Sequence, residues 1–201
     1  MLNFRPVPKI YLNNGSPALY RSGDIFYYSE QDIDQLLQRY KINYFIDLRS
    51  ESEIKERGLP VKAIEKGIEY SSFPIESDNH YFRTKKYPTA NDYYDYYVSL
   101  LENNRATFQE IFILIKNKHD QVGMFACYAG KDRTGLLAAL LLLDAQVSRD
   151  EIIVDYLATG PSLSENIIYF KKNWQKKQLS QVEYNQRMQP KRETMVMLLD
   201  Y

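Results

Sequence analysis

Two hydrophobic periods alternate along this chain. Phe108, Ile111, Phe112 and Ile115 recur at i, i+3, i+4 and i+7, which predicts a helix over Arg105 to Lys118 with one buried face. Leu136 to Leu143 is a continuous apolar run of helix formers. Shorter runs rich in β-branched and aromatic residues, Tyr44 to Leu48, Ile68 to Phe73 and Val122 to Cys127, read as strands. A hydroxyl followed three residues later by an acid marks helix starts at Ser29, Ser50, Thr89, Ser148 and Ser162, because the hydroxyl caps the first turn and the acid reaches back. The helices expected behind them are Glu30 to Tyr40, Glu51 to Arg57, Ala90 to Asn103, Asp150 to Ala158, and Leu163 to about Lys177. Pro190 should break the C-terminal region before a last helix ending at Tyr201. Strands alternating with helices predict an α/β fold, with a mostly parallel central sheet flanked by helices. Val122 to Phe125, almost continuously apolar, should be a central strand covered on both faces, with a ligand expected at its carboxyl end.

Composition narrows the picture. The chain has 201 residues, 44% of them apolar and 26% charged. A chain of that size buries roughly 70% of its unfolded surface, enough for one substantial core. Repeats, linkers and low-complexity blocks are lacking, so one domain over 1–201 is expected, with C-terminal helices from about 163 packed on it. The 26 Lys and Arg cancel the 26 Asp and Glu, which leaves no overall field for nucleic acid or an anionic membrane. Any anion site must be local. The single cysteine, Cys127, forms no disulfide within the chain and no multi-thiolate zinc site, and no metal or cofactor is expected. Without a recognisable signal peptide or a run long enough to cross a bilayer, a cytoplasmic location is expected. Tyrosine is in excess at 18 copies, and Tyr93, Tyr94, Tyr96 and Tyr97 fit a packed amphipathic helix with wet hydroxyls.

The chemistry concentrates after the central strand, in Cys127-Tyr128-Ala129-Gly130-Lys131-Asp132-Arg133-Thr134-Gly135. Backbone N–H groups of a tight loop entering a helix N-terminus converge on one anion, and the helix dipole adds positive charge. Such a field lowers a thiol from about 8.5 to roughly 4 to 7, which makes a thiolate nucleophile at neutral pH. The planar fork of Arg133 suits two phosphoryl oxygens. Gly130 supplies the backbone freedom of the turn. A nucleotide P-loop is excluded, because Asp132 follows Gly130-Lys131 where Ser or Thr is required and Phe125 stands where the first glycine should be.

The string CYAGKDRTG resembles the active-site loop of the atypical bacterial protein-tyrosine phosphatases, whose members often also hydrolyse phosphoinositides. Asn3-Phe4-Arg5, Leu19-Tyr20-Arg21-Ser22, Asp47-Leu48-Arg49-Ser50 with Glu53, and Ile152 to Leu157 are similar to that family's flanking motifs in the same order. The family usually has His before the nucleophile, and here the position is Ala126. The resemblance implies a tyrosine-phosphatase-like fold and a phosphotyrosine protein or phosphoinositide substrate. In that reading Cys127 attacks phosphorus and forms a cysteinyl-phosphate. The amides of Tyr128, Ala129, Gly130, Lys131, Asp132 and Arg133, with the Arg133 side chain, hold the equatorial oxygens. The hydroxyl of Thr134 assists the departing thiolate or simply opens the helix. The resemblance also makes Asp132 the first candidate for general acid. Asp78, after the strand ending near Phe73, is the alternative, with Asp92 and Asp95 behind it. Lys131 adds a charge at the cradle, either solvated or on a further phosphate. Asp47 and Arg49 fit a bracing ion pair, and Arg5 and Arg21 are similar. His80 and His119 read as surface residues, and Lys171 to Lys177 as a basic solvated helix face, with docking at a membrane surface the sharper alternative.

Two alternatives stand beside the phosphatase. A rhodanese-type sulfurtransferase shares the Asp47-Leu48-Arg49 start, but its loop closes on a smaller radius. A phosphate-binding module that kept the cradle and lost turnover is the other, and Ala126 is the feature that favours it.

Overall fold

A computed structural model describes residues 1–76, 82 and 84–201. Its centre is a five-stranded sheet in the order β1-β2-β5-β3-β4, where β1 is Arg5–Pro6, β2 Leu19–Ser22, β3 Ile42–Asp47, β4 Glu69–Ser72 and β5 Val122–Ala126. Only β1 pairs antiparallel, so the sheet is mostly parallel as expected, with the fully buried β5 in its middle.

Side chains alternate across a strand, so each strand feeds two cores. Phe125 and Cys127 of the β5 segment join Tyr44, Ile46 and Leu48 on one face. That face is covered by α4 (Ala90–Asn103), α5 (Arg105–Asn117), α6 (Asp132–Asp144), α7 (Arg149–Leu157) and α11 (Arg192–Asp200). Met124 and Ala126 join Phe45 on the other face, under α1 (Glu30–Gln38) and α3 (Val61–Glu65). Gly123 is required in β5 because the Tyr44 ring crosses it, and a Cβ there would sit 2.2 Å from that ring. α2 (Glu51–Arg57) follows β3 directly. The tyrosine helix packs as expected, with Tyr93 and Tyr97 buried.

Three caps form complete boxes where expected, at Ser29, Ser50 and Thr89, while Ser148 caps the backbone N–H of Glu151. Ser162 does not cap. It lies inside α8 (Thr159–Glu165), whose first turn holds Pro161, and its Oγ accepts instead from the Asn3 N–H at 2.9 Å. The helix expected from Leu163 to Lys177 is therefore broken into α8, a 3-10 turn Ile167–Phe170 and α9 (Lys171–Lys176). Ile167, Phe170 and Trp174 face inward through the break, so burial rather than continuous hydrogen bonding sets the path. A further capping box at Ser180 opens α10 (Gln181–Met188), and α11 follows Pro190 as predicted. α8, the 3-10 turn, α9 and α10 share a third core with Leu2 and Ala129. No helix among the described residues is long and apolar enough to cross a membrane.

Candidate active site

β5 ends at Ala126, and the chain turns through Cys127 to Lys131 before α6 opens at Asp132. The turn demands glycine: Gly130 has φ +69°, and a Cβ there would lie 2.6 Å from the Ser22 carbonyl oxygen and 2.7 Å from the Gly23 nitrogen. The Gly130 carbonyl accepts hydrogen bonds from Asn3 Nδ2 at 2.7 Å and Arg21 Nη2 at 3.0 Å. Arg21 is fully buried and also pairs with Asp155 of α7. Arg5 donates to Asp155 Oδ1 through Nε at 3.2 Å and to the Asp155 carbonyl through Nη2 at 2.7 Å. The two N-terminal strands and α7 thus clamp the loop from behind, although Ala126 contributes no imidazole to it.

Cys127 is buried at the floor of a cleft of about 830 Å³, which is also lined by Asp132 and Arg133. Glu53 grips Arg133 with both carboxylate oxygens, Oε2 to Nη1 at 2.5 Å and Oε1 to Nη2 at 2.8 Å, while the Leu48 carbonyl accepts from Nη1 at 3.3 Å. Glu53 is also the acid of the Ser50 capping box, so α2 aims it. Burial by itself would raise the Glu53 carboxyl, but the hydrogen bonds and charge of Arg133 prevail and bring it down to about 2. The Arg133 guanidinium is held above its ordinary range: burial opposes its charge, and Glu53 and Cys127 outweigh that.

Asp132 opens α6 and borders the cleft, and its Oδ1 accepts from Tyr97 Oη at 2.7 Å. The Tyr97 hydroxyl in turn meets Tyr156 Oη at 2.9 Å. Lys131 differs from expectation. Its side chain is 1% exposed, with Nζ 3.0 Å from Tyr93 Oη, 3.4 Å from Asp132 Oδ1 and 4.2 Å from the Tyr93 ring centroid. Burial opposes the ammonium charge, yet the nearby Asp132 and Tyr93 hold its pKa above the usual lysine range. Such a group is not solvated: its ammonium is spent on Tyr93 and Asp132. Thr134 is fully buried in the first turn of α6, and its Oγ1 has no hydrogen-bond partner among the described residues. Tyr128 Oη accepts from Arg57 Nη2 and donates to Asn173 Oδ1, both at 2.9 Å, and Ala129 is buried in the third core.

Arg49 and Asp47 form the expected ion pair, with Nη2 to Oδ2 at 2.7 Å, and Asp24 joins it at 3.2 Å from Nη1. Asp92 caps α4 and pairs with Lys85, whose hydrogen bond is the leading reason its carboxyl falls to about 2. Asp95 and His119 are exposed, whereas Asp78 and His80 lie outside the described residues. Lys171, Lys172 and Lys176 form the expected exposed basic face of α9. Reading the sequence missed Glu53 as the anchor of Arg133, because its capping role already explained it. Asp155 was missed too, although an acid among the buried Ile152, Ile153 and Tyr156 of one helix is a detectable signal.

A thiol and an arginine around one glycine-bent loop, between a central parallel strand and a helix N-terminus, define a cysteine-centred oxyanion site. The chain belongs to the tyrosine phosphatase family, whose model it matches over residues 1–201. It is 42% identical over 60 residues to a tyrosine-protein phosphatase of Nostoc commune, and that match covers 30% of this chain and 20% of the relative, so the chain spans about a fifth of the curated relative it matches. Among solved structures it is similar to the core catalytic domain of the PP-IP phosphatase SIW14 from S. cerevisiae, with 17% identity, coverage of 80% of this chain and 77% of that one, and a TM-score of 0.46. It is also similar to TpbA of P. aeruginosa, with 17% identity, coverage of 78% and 73%, and a TM-score of 0.41.

Proposed function

We propose that this chain is a cysteine-dependent phosphomonoester hydrolase acting on phosphotyrosine. The observation that carries the reading is the placement of Cys127 and the Glu53-locked Arg133 together at the floor of one cleft. The Cys127 thiolate attacks phosphorus, an S–P bond forms as the P–O ester bond breaks, and the leaving oxygen takes a proton from Asp132. Water then attacks the cysteinyl-phosphate and gives a proton back to the Asp132 carboxylate, and the S–P bond breaks to release phosphate and the thiolate. Arg133 and the amides of residues 128 to 133 hold the three equatorial oxygens throughout. The family membership and the name of the Nostoc commune relative support a tyrosine phosphatase. So do the apolar walls Ile75, Phe82, Tyr96 and Met188, which suit a phenyl ring. Phosphoinositide hydrolysis is the second substrate class, and a cytoplasmic setting remains the expectation for both.

The test is hydrolysis of a phosphotyrosine peptide and of a phosphoinositide, in EDTA, by wild type and Cys127→Ser. Vanadate-sensitive turnover that vanishes in the variant supports the thiolate mechanism, and the ratio of the two substrates assigns the class. Phosphate binding without turnover in folded wild type would favour the phosphate-binding module instead.

A further inference from the structure

Packing alone does not hold α2, the helix that presents Glu53. It spans only seven residues, and none of its side chains is fully buried. A helix so short has little stability of its own, so its side-chain attachments fix where it lies. Two of them go to the cysteine loop. Towards its N-terminal end Glu53 grips Arg133. At its C-terminal end Arg57 Nη2 donates to Tyr128 Oη at 2.9 Å, and the guanidinium carbon stands 4.2 Å from the centre of the Tyr128 ring. Glu53 and Arg57 stand at i and i+4, so both project from one face of α2. The loop residues that they meet lie on either side of the Gly130 bend.

The Tyr128 attachment is built from several directions. The backbone N–H of buried Asp24 donates to the Tyr128 carbonyl at 3.1 Å, while the Asp24 carboxylate takes Arg57 Nη1 at 3.4 Å, so one residue registers both the loop backbone and Arg57. Tyr128 Oη also donates to Asn173 Oδ1 of α9. A hydroxyl that accepts from a guanidinium and donates to an amide oxygen is fixed in direction, and its ring with it. From the loop through Tyr128, Arg57 and α2 to Glu53 and Arg133, the contacts close a circuit that returns to the loop.

We infer that Tyr128 is a positioning residue for Arg133: its hydroxyl holds Arg57 and so α2, and α2 presents Glu53 to the guanidinium in the orientation that the equatorial oxygens require. The side chain acts through α2 rather than on the substrate. This rests on the phosphatase reading and adds a residue to it.

The test is a double-variant cycle on hydrolysis of phenyl phosphate and para-nitrophenyl phosphate. Tyr128→Phe keeps the ring and removes the hydroxyl. Its kcat should fall about tenfold, with KM changed by no more than about twofold. The factor should be the same for both esters, because Arg133 serves the phosphoryl oxygens and not the leaving group. Arg57→Met should reproduce that loss, and Asn173→Ala, which leaves the Arg57 bond in place, should cost less than about twofold. In Glu53→Gln the grip on Arg133 is already broken, so adding Tyr128→Phe should lower kcat by no more than a further twofold or so, the non-additivity of residues that act through one another. An unchanged kcat in Tyr128→Phe, a full further tenfold loss in the double variant, or a loss in Asn173→Ala that Arg57→Met does not share would overturn the positioning role and leave the phosphatase standing. Should wild type hydrolyse neither ester, the phosphatase reading fails and calorimetry with vanadate decides. Weaker binding in Tyr128→Phe that disappears when the change is made in Glu53→Gln supports the role of α2, and equal affinities of wild type and Tyr128→Phe overturn it.

Discussion

The two sides of the cleft use the same residue types to opposite ends. Around the loop, cations are buried or half-buried and matched: Arg21 and Arg5 on Asp155, Arg49 on Asp47 and Asp24, Arg133 on Glu53. On the C-terminal helices, Arg187 and Lys176 border the cleft with no carboxylate paired to them among the described residues. A matched, buried charge has a fixed place and little left to offer a ligand; an unmatched one at a cleft wall is the reverse. Geometry comes from the first side and attraction from the second.

The comparison breaks most completely at the nucleophile, which both sides serve. Cys127→Ser should lower turnover of phenyl phosphate by about a thousandfold or more in steady-state assays, with an unchanged urea midpoint, because the smaller hydroxyl fits the same buried site but attacks poorly. The contrast in stability should be nearly as large. Asp155→Ala strands Arg21, which is fully buried, so a loss of about 3 to 5 kcal/mol in urea unfolding is expected. Lys176→Gln, on the unmatched side and exposed, should change stability by no more than about 0.5 kcal/mol. Equal losses for the two would refute the distinction.

Glu53 sharpens it, since it matches a cation that also works. Glu53→Gln should lower kcat about a hundredfold by freeing Arg133, with a smaller change in KM. Its carboxyl is depressed from 4.5 to about 2 in the folded chain, so the stability it contributes is fully present above 4.5 and fades as pH falls towards 2. The stability gap between wild type and Glu53→Gln should therefore be constant at neutral pH and close on acidification. A gap that widens on acidification would show that Arg133 is not what holds this carboxylate.

The same division explains what could be read without coordinates. The loop is contiguous, so Cys127, Gly130 and Arg133 announce themselves in nine residues, and the helices flanking them obey simple periodicity and capping. The clamp is not contiguous: Asn3 meets Gly130 across 127 positions, and Arg21 meets Asp155 across 134. β2 was hidden for a related reason, because the buried Arg21 and Ser22 interrupt the apolar pattern of a strand that is buried throughout. Lys131 misled because a lysine in a glycine-bent loop looks solvated until Tyr93 is seen beneath it. Arg187 carries no motif at all, and only the wall it stands in marks it out.

The smallest effect tests how far matching extends to Asp132, whose Oδ1 is held by Tyr97. Tyr97→Phe removes that donor from a buried hydroxyl pair with Tyr156, which should cost about 1 kcal/mol of stability. The consequence for rate depends on the leaving group. Phenolate departs poorly and needs its proton delivered in place, so turnover of phenyl phosphate should fall by roughly tenfold when the acid loses its anchor. Para-nitrophenolate departs unaided, and turnover of its phosphate should fall much less in the same variant. Asp132→Asn should show the same split with a larger amplitude. If Tyr97→Phe slows both substrates equally, the hydroxyl serves the loop as a whole, and the proton must come from a group other than Asp132.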